Sequence, residues 1–123
     1  MEKEIINIDN KVIVNIYSNS EYIYNYKSAI KFFDKIAFNN NSNNIIVNKE
    51  IFSKNFFKIS NNLFNRLFKY LNRNNIKIAI IGDFSIYENE ELLDYIYSIN
   101  KKNLAFFLYT KEEAIYSLKK GDY

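Results

Sequence analysis

The side chains able to do chemistry in this sequence are carboxylates, lysines and hydroxyls, because histidine and cysteine are both absent. Their absence removes the usual general base near neutral pH, the thiolate nucleophile and the commonest zinc ligands. A Ser-His-Asp or Cys-His catalytic arrangement is therefore excluded. The two glycines, Gly82 and Gly121, lie too far apart to build a glycine-rich phosphate loop.

Four clustered acids remain as candidates for catalysis: Glu88, Glu90, Glu91 and Asp94. Carboxylate oxygens are ligands that divalent cations prefer. At helical spacing, however, Glu90 and Asp94 share one exposed face, where a run of charge usually serves solvation. We therefore expect no enzyme, no cofactor and no metal site, with metal-dependent chemistry through these acids as the alternative.

The segment Gly82-Asp83-Phe84-Ser85 is a candidate ligand site, because it follows a hydrophobic run and open α/β sheets bind ligands at the carboxyl ends of their strands. In the functional interpretation, Gly82 admits a ligand close to the backbone, and Asp83 or Ser85 forms hydrogen bonds with it. In the structural interpretation, which we favour, Gly82 adopts a backbone conformation closed to other residues. Asp83 then ties down the turn with its own side chain, and Phe84 closes the end of the core.

Aromatic and basic side chains add further candidates. Tyrosine and phenylalanine make up 18% of the sequence, more than one small core needs, so some rings should be exposed. Exposed rings suit a protein partner or a nucleotide base, and lysines near element ends suit phosphates. The lysines so placed are Lys54, Lys77, Lys101, Lys102 and Lys111. The candidate ligand- or partner-binding set is Gly82, Asp83, Phe84, Ser85, Tyr87, Lys54 and Lys111.

Composition bears on compartment and partners. Asparagine occurs 21 times beside abundant Ile, Lys, Tyr and Phe, and all of these residues have A/T-rich codons. A formal net charge of +3 spread evenly along the chain is not a basic patch, so we expect no dedicated nucleic-acid binding. No apolar stretch is long enough to span a membrane, and the first residues do not resemble a secretion signal. We therefore expect a cytoplasmic protein of bacterial or phage origin.

The elements that position these residues follow from hydrophobic periodicity. Apolar residues alternate on either side of Asp9-Asn10, which predicts an opening β-hairpin. Capping-box spacing at Ser18 and Glu21 predicts a first helix, which carries Tyr22, Tyr26, Ala29, Ile30, Phe33 and Ala37. Ile45–Val47 predicts a buried strand. Ser53 is expected to cap a turn with Phe56 and Phe57, and Ser60 the helix bearing Leu63 to Leu71.

The second half repeats the alternation of strand and helix. Ile76–Ile81 is the most hydrophobic run and predicts the central strand, buried on both faces. A helix from about Asn89, a strand over Leu104–Tyr109 and a helix from the Thr110–Glu113 capping box to Gly121 follow. The order ββαβαβαβα predicts one α/β domain over residues 1–123, with a mainly parallel sheet of four or five strands and three or four helices.

The chain also resembles a bacterial family, the domain of unknown function 4180. The resemblance rests on residues 76–87 with their Gly-Asp-Phe-Ser segment, on Leu93–Tyr97 with Asn100, and on Phe106-Phe107 with Glu112–Ile115. Ile45-Ile46 and Phe56-Phe57 match in order and spacing, so the resemblance covers about residues 45–118. It implies a fold similar to the anti-sigma-factor-antagonist (STAS) type and no established activity. The Asp-Ser-Ser-Gly turn of signalling STAS domains is absent, so a phosphoserine switch does not carry over.

Two functions follow as hypotheses. The first is a non-catalytic regulatory or interaction module that docks a protein. The alternative is a binder of a small, nucleotide-like ligand, as an oligomer that sequesters a signalling molecule. We also expect the domain to associate with itself, as a dimer or higher oligomer, because a small sheet leaves an edge strand and some aromatic side chains uncovered.

Overall fold

Five strands and four helices make up the computed structural model, which describes residues 1–120. Their order, ββαβαβαβα, is the predicted one, and the fold is a single α/β domain. Short 3₁₀ turns lie between β3 and α2 and again after β4. No helix in residues 1–120 is long and apolar enough to cross a membrane. The elements are β1 Glu2–Ile8, β2 Lys11–Tyr17, α1 Tyr26–Asn40, β3 Asn44–Asn48, α2 Leu63–Arg73, β4 Lys77–Ile81, α3 Glu90–Lys102, β5 Phe106–Leu108 and α4 Lys111–Lys120.

The strands lie in chain order, β1-β2-β3-β4-β5, with β1 antiparallel to β2 and all other neighbours parallel. Right-handed crossovers between successive strands place α1, α2 and α3 on one face, and α4 packs on the other. The prediction that Ile76–Ile81 is the central strand is wrong by one position, because β3 is in the middle. Strand β4 is still interior to the sheet, with Ile78, Ala79 and Ile80 buried.

Two cores flank the sheet. The larger lies under α1–α3, and the smaller lies under α4, where Ala114 and Leu118 cover the opposite face of the strands. The alternation of strand side chains between these cores explains why β3 and β4 read as continuous apolar runs. The strand residues of the larger core are Val14, Ile16, Ile45, Val47, Ile78, Ile80 and Phe107; those of the smaller are Ile13, Ile46, Ala79 and Phe106.

The predicted hairpin turn and the last two helix starts are confirmed. Asp9 and Asn10 have φ of 49° and 64°, the left-handed pair of a type I′ turn that matches strand twist. Asn89 caps α3 by accepting from the Leu92 amide at 3.2 Å. At α4, the Thr110 hydroxyl accepts from the Glu113 amide at 3.1 Å, and the Glu113 carboxylate accepts from the Thr110 amide at 3.1 Å. The predicted helix end at Gly121 lies outside the described residues.

The predicted start of the first helix is wrong. Helix α1 begins at Tyr26, because Asn25 caps it by accepting from the Ser28 amide at 2.8 Å. The Ser28 hydroxyl accepts in turn from the Asn25 amide at 3.0 Å, which completes a capping box. Ser18 is instead buried in the loop that precedes the helix.

The turn predicted after Ser53 is present as Lys54–Phe57, with Ser53 at its cap position, but the Ser53 side chain makes no cap hydrogen bond. Its hydroxyl donates instead to a backbone carbonyl 29 residues earlier, at 3.3 Å. The cap predicted at Ser60 is wrong. Ser60 lies inside a 3₁₀ turn, and α2 starts at Leu63. Asn62 takes the cap position with a left-handed φ of 60°, and the Asn61 side chain accepts from the Leu63 amide at 3.2 Å.

A side chain covers one edge of the sheet. The backbone of Phe107 on β5 faces away from β4, and the Asn100 side chain satisfies both of its polar groups. The Phe107 amide donates to Asn100 Oδ1 at 2.7 Å, and Asn100 Nδ2 donates to the Phe107 carbonyl at 2.9 Å. Asn100 thereby takes the place of a further strand, which closes this edge to pairing.

The opposite edge, β1, is expected to pair with a second copy. No side chain of residues 1–120 bonds the backbone of this seven-residue strand. Ile5 is 44% exposed. If two copies of β1 pair antiparallel about Ile5, each Ile5 lies opposite the Ile5 of the other copy, and no two like charges face each other. We expect twice the 14.8 kDa monomer mass by sedimentation equilibrium, and the monomer mass for Ile5→Lys. Wild-type protein that stays at 14.8 kDa at every concentration contradicts this prediction.

The carboxyl edge as candidate functional site

The segments that leave the carboxyl ends of β2–β5 meet at one side of the sheet, which we call the carboxyl edge. Asn48, at the end of β3, is buried and joins the first two segments. Its side chain accepts from the Ser18 amide at 2.9 Å and donates to the Ser18 carbonyl at 2.6 Å. A parallel bridge between Ile23 and Phe52 extends this contact beyond the strands. The chain after β2 is therefore held against the chain after β3.

Gly82 is required at this edge by a close contact, not by its backbone angle. Its φ is not in the left-handed region, so that part of the structural interpretation is wrong. A Cβ at Gly82 would lie 2.6 Å from Cδ and 2.7 Å from Cγ of Lys49. The aliphatic stem of Lys49 thus packs against the glycine, where a ligand would otherwise approach.

The turn after Gly82 is held by its own side chains. Asp83 accepts from the Ser85 amide at 3.0 Å and from the Ser85 hydroxyl at 2.5 Å. These hydrogen bonds, helped by the nearby charge of Lys49, hold the pKa of Asp83 below its usual value. Phe84 is partly buried and packs edge-on against Phe107 at 5.3 Å between ring centroids. Asp83, Phe84 and Ser85 therefore have structural partners within the chain.

Tyr87 is fixed between two rings, with its hydroxyl beside a lysine. It stacks on Phe57 at 5.3 Å and on Phe84 at 6.4 Å between centroids. The Lys49 ammonium lies 3.4 Å from the Tyr87 hydroxyl and 4.9 Å from the ring centroid. Glu50 provides a carboxylate oxygen 4.0 Å from the same ammonium, and the Lys49 side chain is only 13% exposed. This arrangement places a largely buried cation and a phenol hydroxyl side by side.

A cleft of about 270 Å³ opens next to this pair. Of the predicted residues, Lys54 and Tyr87 line it, and Gly82 reaches it through Lys49. Lys111 does not take part, because its ammonium pairs with the Glu4 carboxylate at 3.4 Å, on the face of the sheet covered by α4. The full lining is Asn19, Glu21, Lys49, Glu50, Phe52, Lys54, Phe57 and Tyr87.

Exposed aromatic and aliphatic side chains also lie at the carboxyl edge. Five of the eleven large hydrophobic side chains that are exposed in residues 1–120 lie in the segments there. Tyr22 and Tyr24, which the sequence predicts on the first helix, lie in the loop between β2 and α1. The five are Tyr17, Tyr22, Tyr24, Ile86 and Tyr109.

Acidic side chains outnumber lysines at the same edge. The first turns of α3 and α4 point this way and carry four glutamates, as the helix dipole favours. Glu21, Glu50 and Glu88 are also exposed here, against Lys54, the half-buried Lys111 in the first turn of α4 and the largely buried Lys49. Glu88, Glu90, Glu91 and Asp94 are all exposed, and residues 1–120 contain no group of three acids placed to hold a metal ion.

The packing of Lys49 on Gly82 predicts an unusual response to substitution. Gly→Ala at an ordinary φ normally stabilises a protein by about 0.4–1 kcal/mol. Here we expect Gly82→Ala to destabilise by about 1–3 kcal/mol, because the added methyl overlaps a held side chain. In a Lys49→Ala background the same change should be close to neutral. Urea unfolding of the four proteins measures this coupling, and additive effects would contradict it.

Comparison with protein-family models matches residues 8–118 to the family described as Domain of unknown function (DUF4180). The match extends the resemblance expected over residues 45–118 back to Ile8, so that it also covers the β1–β2 turn, β2 and α1. No curated protein and no solved structure matches the chain significantly.

Proposed function

The chain belongs to the domain-of-unknown-function family DUF4180, and from that premise we propose that it is a non-catalytic interaction domain that docks a partner protein on its carboxyl edge. The observation that carries the proposal is that Tyr17, Tyr22, Tyr24, Ile86 and Tyr109, all exposed, lie in the segments of one edge of the sheet. Tyrosine is enriched at interfaces because it buries a large ring while its hydroxyl keeps a polar partner. Exposed rings that mean nothing would be scattered over the surface.

The charge at this edge indicates a basic partner segment. Seven exposed glutamates surround the tyrosines, and like charges opposite each other would cost affinity. The partner we propose is therefore a protein segment that carries lysine or arginine beside apolar side chains. Such binding should weaken as salt increases, since exposed charges are screened over about 8 Å at physiological ionic strength.

The geometry favours a protein over a small molecule here. The cleft of about 270 Å³ is smaller than the roughly 300–1,000 Å³ of common ligand pockets. The two rings that flank Tyr87, Phe57 and Phe84, also leave little of its face for a nucleotide base. The proposal includes the STAS-like fold that the family resemblance implies, and an experimental structure of the domain tests that classification.

Affinity capture with a matched control tests the docking surface. Immobilised wild-type domain should retain a protein that a Tyr22→Ser, Tyr109→Ser variant does not retain. The control, in extract treated with nuclease so that only direct protein contacts count, is Tyr97→Ser, Tyr116→Ser, which removes two exposed tyrosines away from the carboxyl edge. Retention of the same proteins by all three, or loss only in the control, would contradict the proposal.

The Lys49–Tyr87 pair supports a second candidate function, the binding of a small anionic ligand such as a nucleotide. The Lys49 side chain is 13% exposed, and the described partners of its ammonium are a hydroxyl at 3.4 Å and a carboxylate at 4.0 Å, which leaves room for a stronger anion. Thermal shift against nucleotides and cyclic dinucleotides tests it, because a ligand at 100 times its Kd stabilises by about 2.7 kcal/mol. A rise in Tm that is lost in Lys49→Gln supports this candidate function. If no compound raises the Tm of the wild type, the candidate function is ruled out.

Absence of turnover is a further expected outcome. Without histidine or cysteine, we expect no hydrolysis of phosphate esters or acyl esters above background, with or without Mg²⁺. The most direct test is substitution in the exposed acidic cluster of Glu88, Glu90, Glu91 and Asp94. Activity that requires Mg²⁺ and disappears in Glu90→Gln, Asp94→Asn would show that the domain is an enzyme.

A further inference from the structure

The side of the sheet opposite the carboxyl edge carries seven of the 17 basic residues. We call it the amino edge: the β1–β2 turn, the starts of β2 and β4, and the last turns of α1–α4 with the loops that follow them. Each helix runs antiparallel to the strands, so the basic last turns of α2, α3 and α4 end here. The cations are Lys11, Arg73, Lys77, Lys101, Lys102, Lys119 and Lys120.

The cations of the amino edge outnumber the negative charges that lie near them. Asp9 is the one acid that residues 1–120 place at this edge, and it pairs with Lys119 at 3.0 Å. Lys11 and Lys77 donate to the carbonyls that end α4 and follow α3. Four helix ends each contribute the equivalent of about half a negative charge, so within residues 1–120, and with Lys11 left out, an excess of about three positive charges remains. The surface is therefore a basic patch.

Three depressions lie side by side on this patch. The first, about 510 Å³, is lined by six asparagines together with Lys11 and Lys77. Lys77 also lines the second, about 510 Å³, along the outer side of β5. Tyr116 and Lys120 line both the second and the third, about 360 Å³. Together the depressions form a grooved surface whose walls carry amide side chains and lysines.

Exposed rings stand among the lysines. Phe38, in the last turn of α1, is 86% exposed, and Tyr97 and Tyr116 are 69% and 62% exposed. The ammonium of Lys101 lies 5.9 Å from the Tyr97 ring centroid, and that of Lys120 lies 5.6 Å from the Tyr116 centroid. Each tyrosine thus presents a ring next to a positive charge. Tyr116 lines two of the depressions, and Tyr97 lies on α3 one turn before Lys101.

We propose that the amino edge binds single-stranded nucleic acid. A positive groove that follows a phosphate backbone, with aromatic rings on which bases stack, is the arrangement that such binding needs. Unpaired bases also expose edges that can form hydrogen bonds with asparagine amides. In a duplex these edges are accessible only in the grooves. The proposal is independent of docking at the carboxyl edge, because the two surfaces share no residue.

Binding can be measured by fluorescence anisotropy with a labelled oligodeoxythymidine long enough to span the groove. We expect saturable binding at about 0.15 M salt, and a slope of log Kobs against log salt of about −2 to −3, which corresponds to three or four phosphate contacts. The triple variant Lys101→Gln, Lys102→Gln, Lys120→Gln should lose at least tenfold in affinity and about two units of slope.

Two further variants separate this proposal from simple charge attraction. Removal of equal charge elsewhere, by Lys27→Gln, Lys31→Gln and Lys58→Gln, should change affinity less than twofold. These three lysines are exposed and lie outside the amino edge. Tyr97→Ala with Tyr116→Ala should lose at least fivefold in affinity and leave the salt slope unchanged, because stacking is not electrostatic. Circular dichroism confirms that each variant is folded.

Three outcomes would overturn the proposal. The first is the absence of saturable binding at about 0.15 M salt. The second is equal loss of affinity in the amino-edge triple variant and its charge-matched control. The third is binding of heparin or of phosphatidylserine vesicles as tightly as the oligonucleotide, with no effect of the tyrosine variants, which would assign the patch to polyanions or membranes in general.

Discussion

The Ile80→Asp variant is expected to be unfolded at room temperature. Ile80 is fully buried on β4, in a row with Val47 and Phe107 on the face covered by the helices. A carboxylate there has no partner, and burial of an unpaired charge costs several kcal/mol. Domains of this size are stable by only about 5–15 kcal/mol, so the substitution consumes much or all of that margin.

Circular dichroism and urea unfolding measure this effect, and Ile80→Val is the matched control. The control removes one methylene and should cost only about 0.5–1.5 kcal/mol. A folded Ile80→Asp protein with the melting curve of the wild type would show that the strand is not buried on this face.

The strands could be predicted because their signal is hydrophobic and repeated. The hairpin alternation and the runs at 45–47 and 76–81 all became strands, and the element order followed from them. The sequence did not show which strand lies in the middle of the sheet, because strand order depends on where each helical connection returns the chain. Here every connection returns the chain to the position next to the preceding strand.

Helix starts were harder to predict because asparagine takes positions that glycine and serine usually occupy. With only two glycines in the chain, asparagine takes the left-handed positions that end helices and form turns. It also caps α1, where serine spacing pointed to Ser18 instead. Codon bias explains why asparagine is frequent but not where it is placed. The residues with left-handed φ are Asp9, Asn10, Asn41, Asn62, Asn75 and Asn103.

The candidate site was only partly visible in the sequence. Gly82 and Tyr87 were identified by their position after a strand, yet Lys49, which joins them, was not. A lysine directly after the buried strand Asn44–Asn48 is the one signal that pointed to it. Its contact with Gly82 depends on two adjacent parallel strands, and pairing of that kind is set by the fold.

The distribution of charge shows the same limit. Along the chain a net charge of +3 is spread evenly, which predicts no dedicated nucleic-acid binding. The fold concentrates part of the charge, because α2, α3 and α4 run antiparallel to the parallel strands and carry their basic last turns to one edge. Lys77, Lys101 and Lys102 were identified as lysines near element ends, and the structure brings all three to the amino edge.

Phe64→Ala is expected to destabilise the domain by about 3–5 kcal/mol, the usual cost of removing a buried phenylalanine side chain. Phe64 is 3% exposed and joins α2 to the chain after β3 and to β5. Five rings surround it, with centroids at 5.2–5.4 Å. They belong to Phe52, Phe56, Phe57, Phe68 and Phe107.

The same substitution should also loosen the candidate site. Phe57 packs on Phe64 at 5.2 Å and stacks on Tyr87 at 5.3 Å, so Phe64 supports the ring that holds the Tyr87 hydroxyl beside Lys49. Urea unfolding measures the stability, and Phe38→Ala is the control. Phe38 is 86% exposed, so its removal should change stability by no more than about 0.5 kcal/mol. Equal losses in the two variants would contradict a core organised around Phe64, and with it the support proposed for the carboxyl edge.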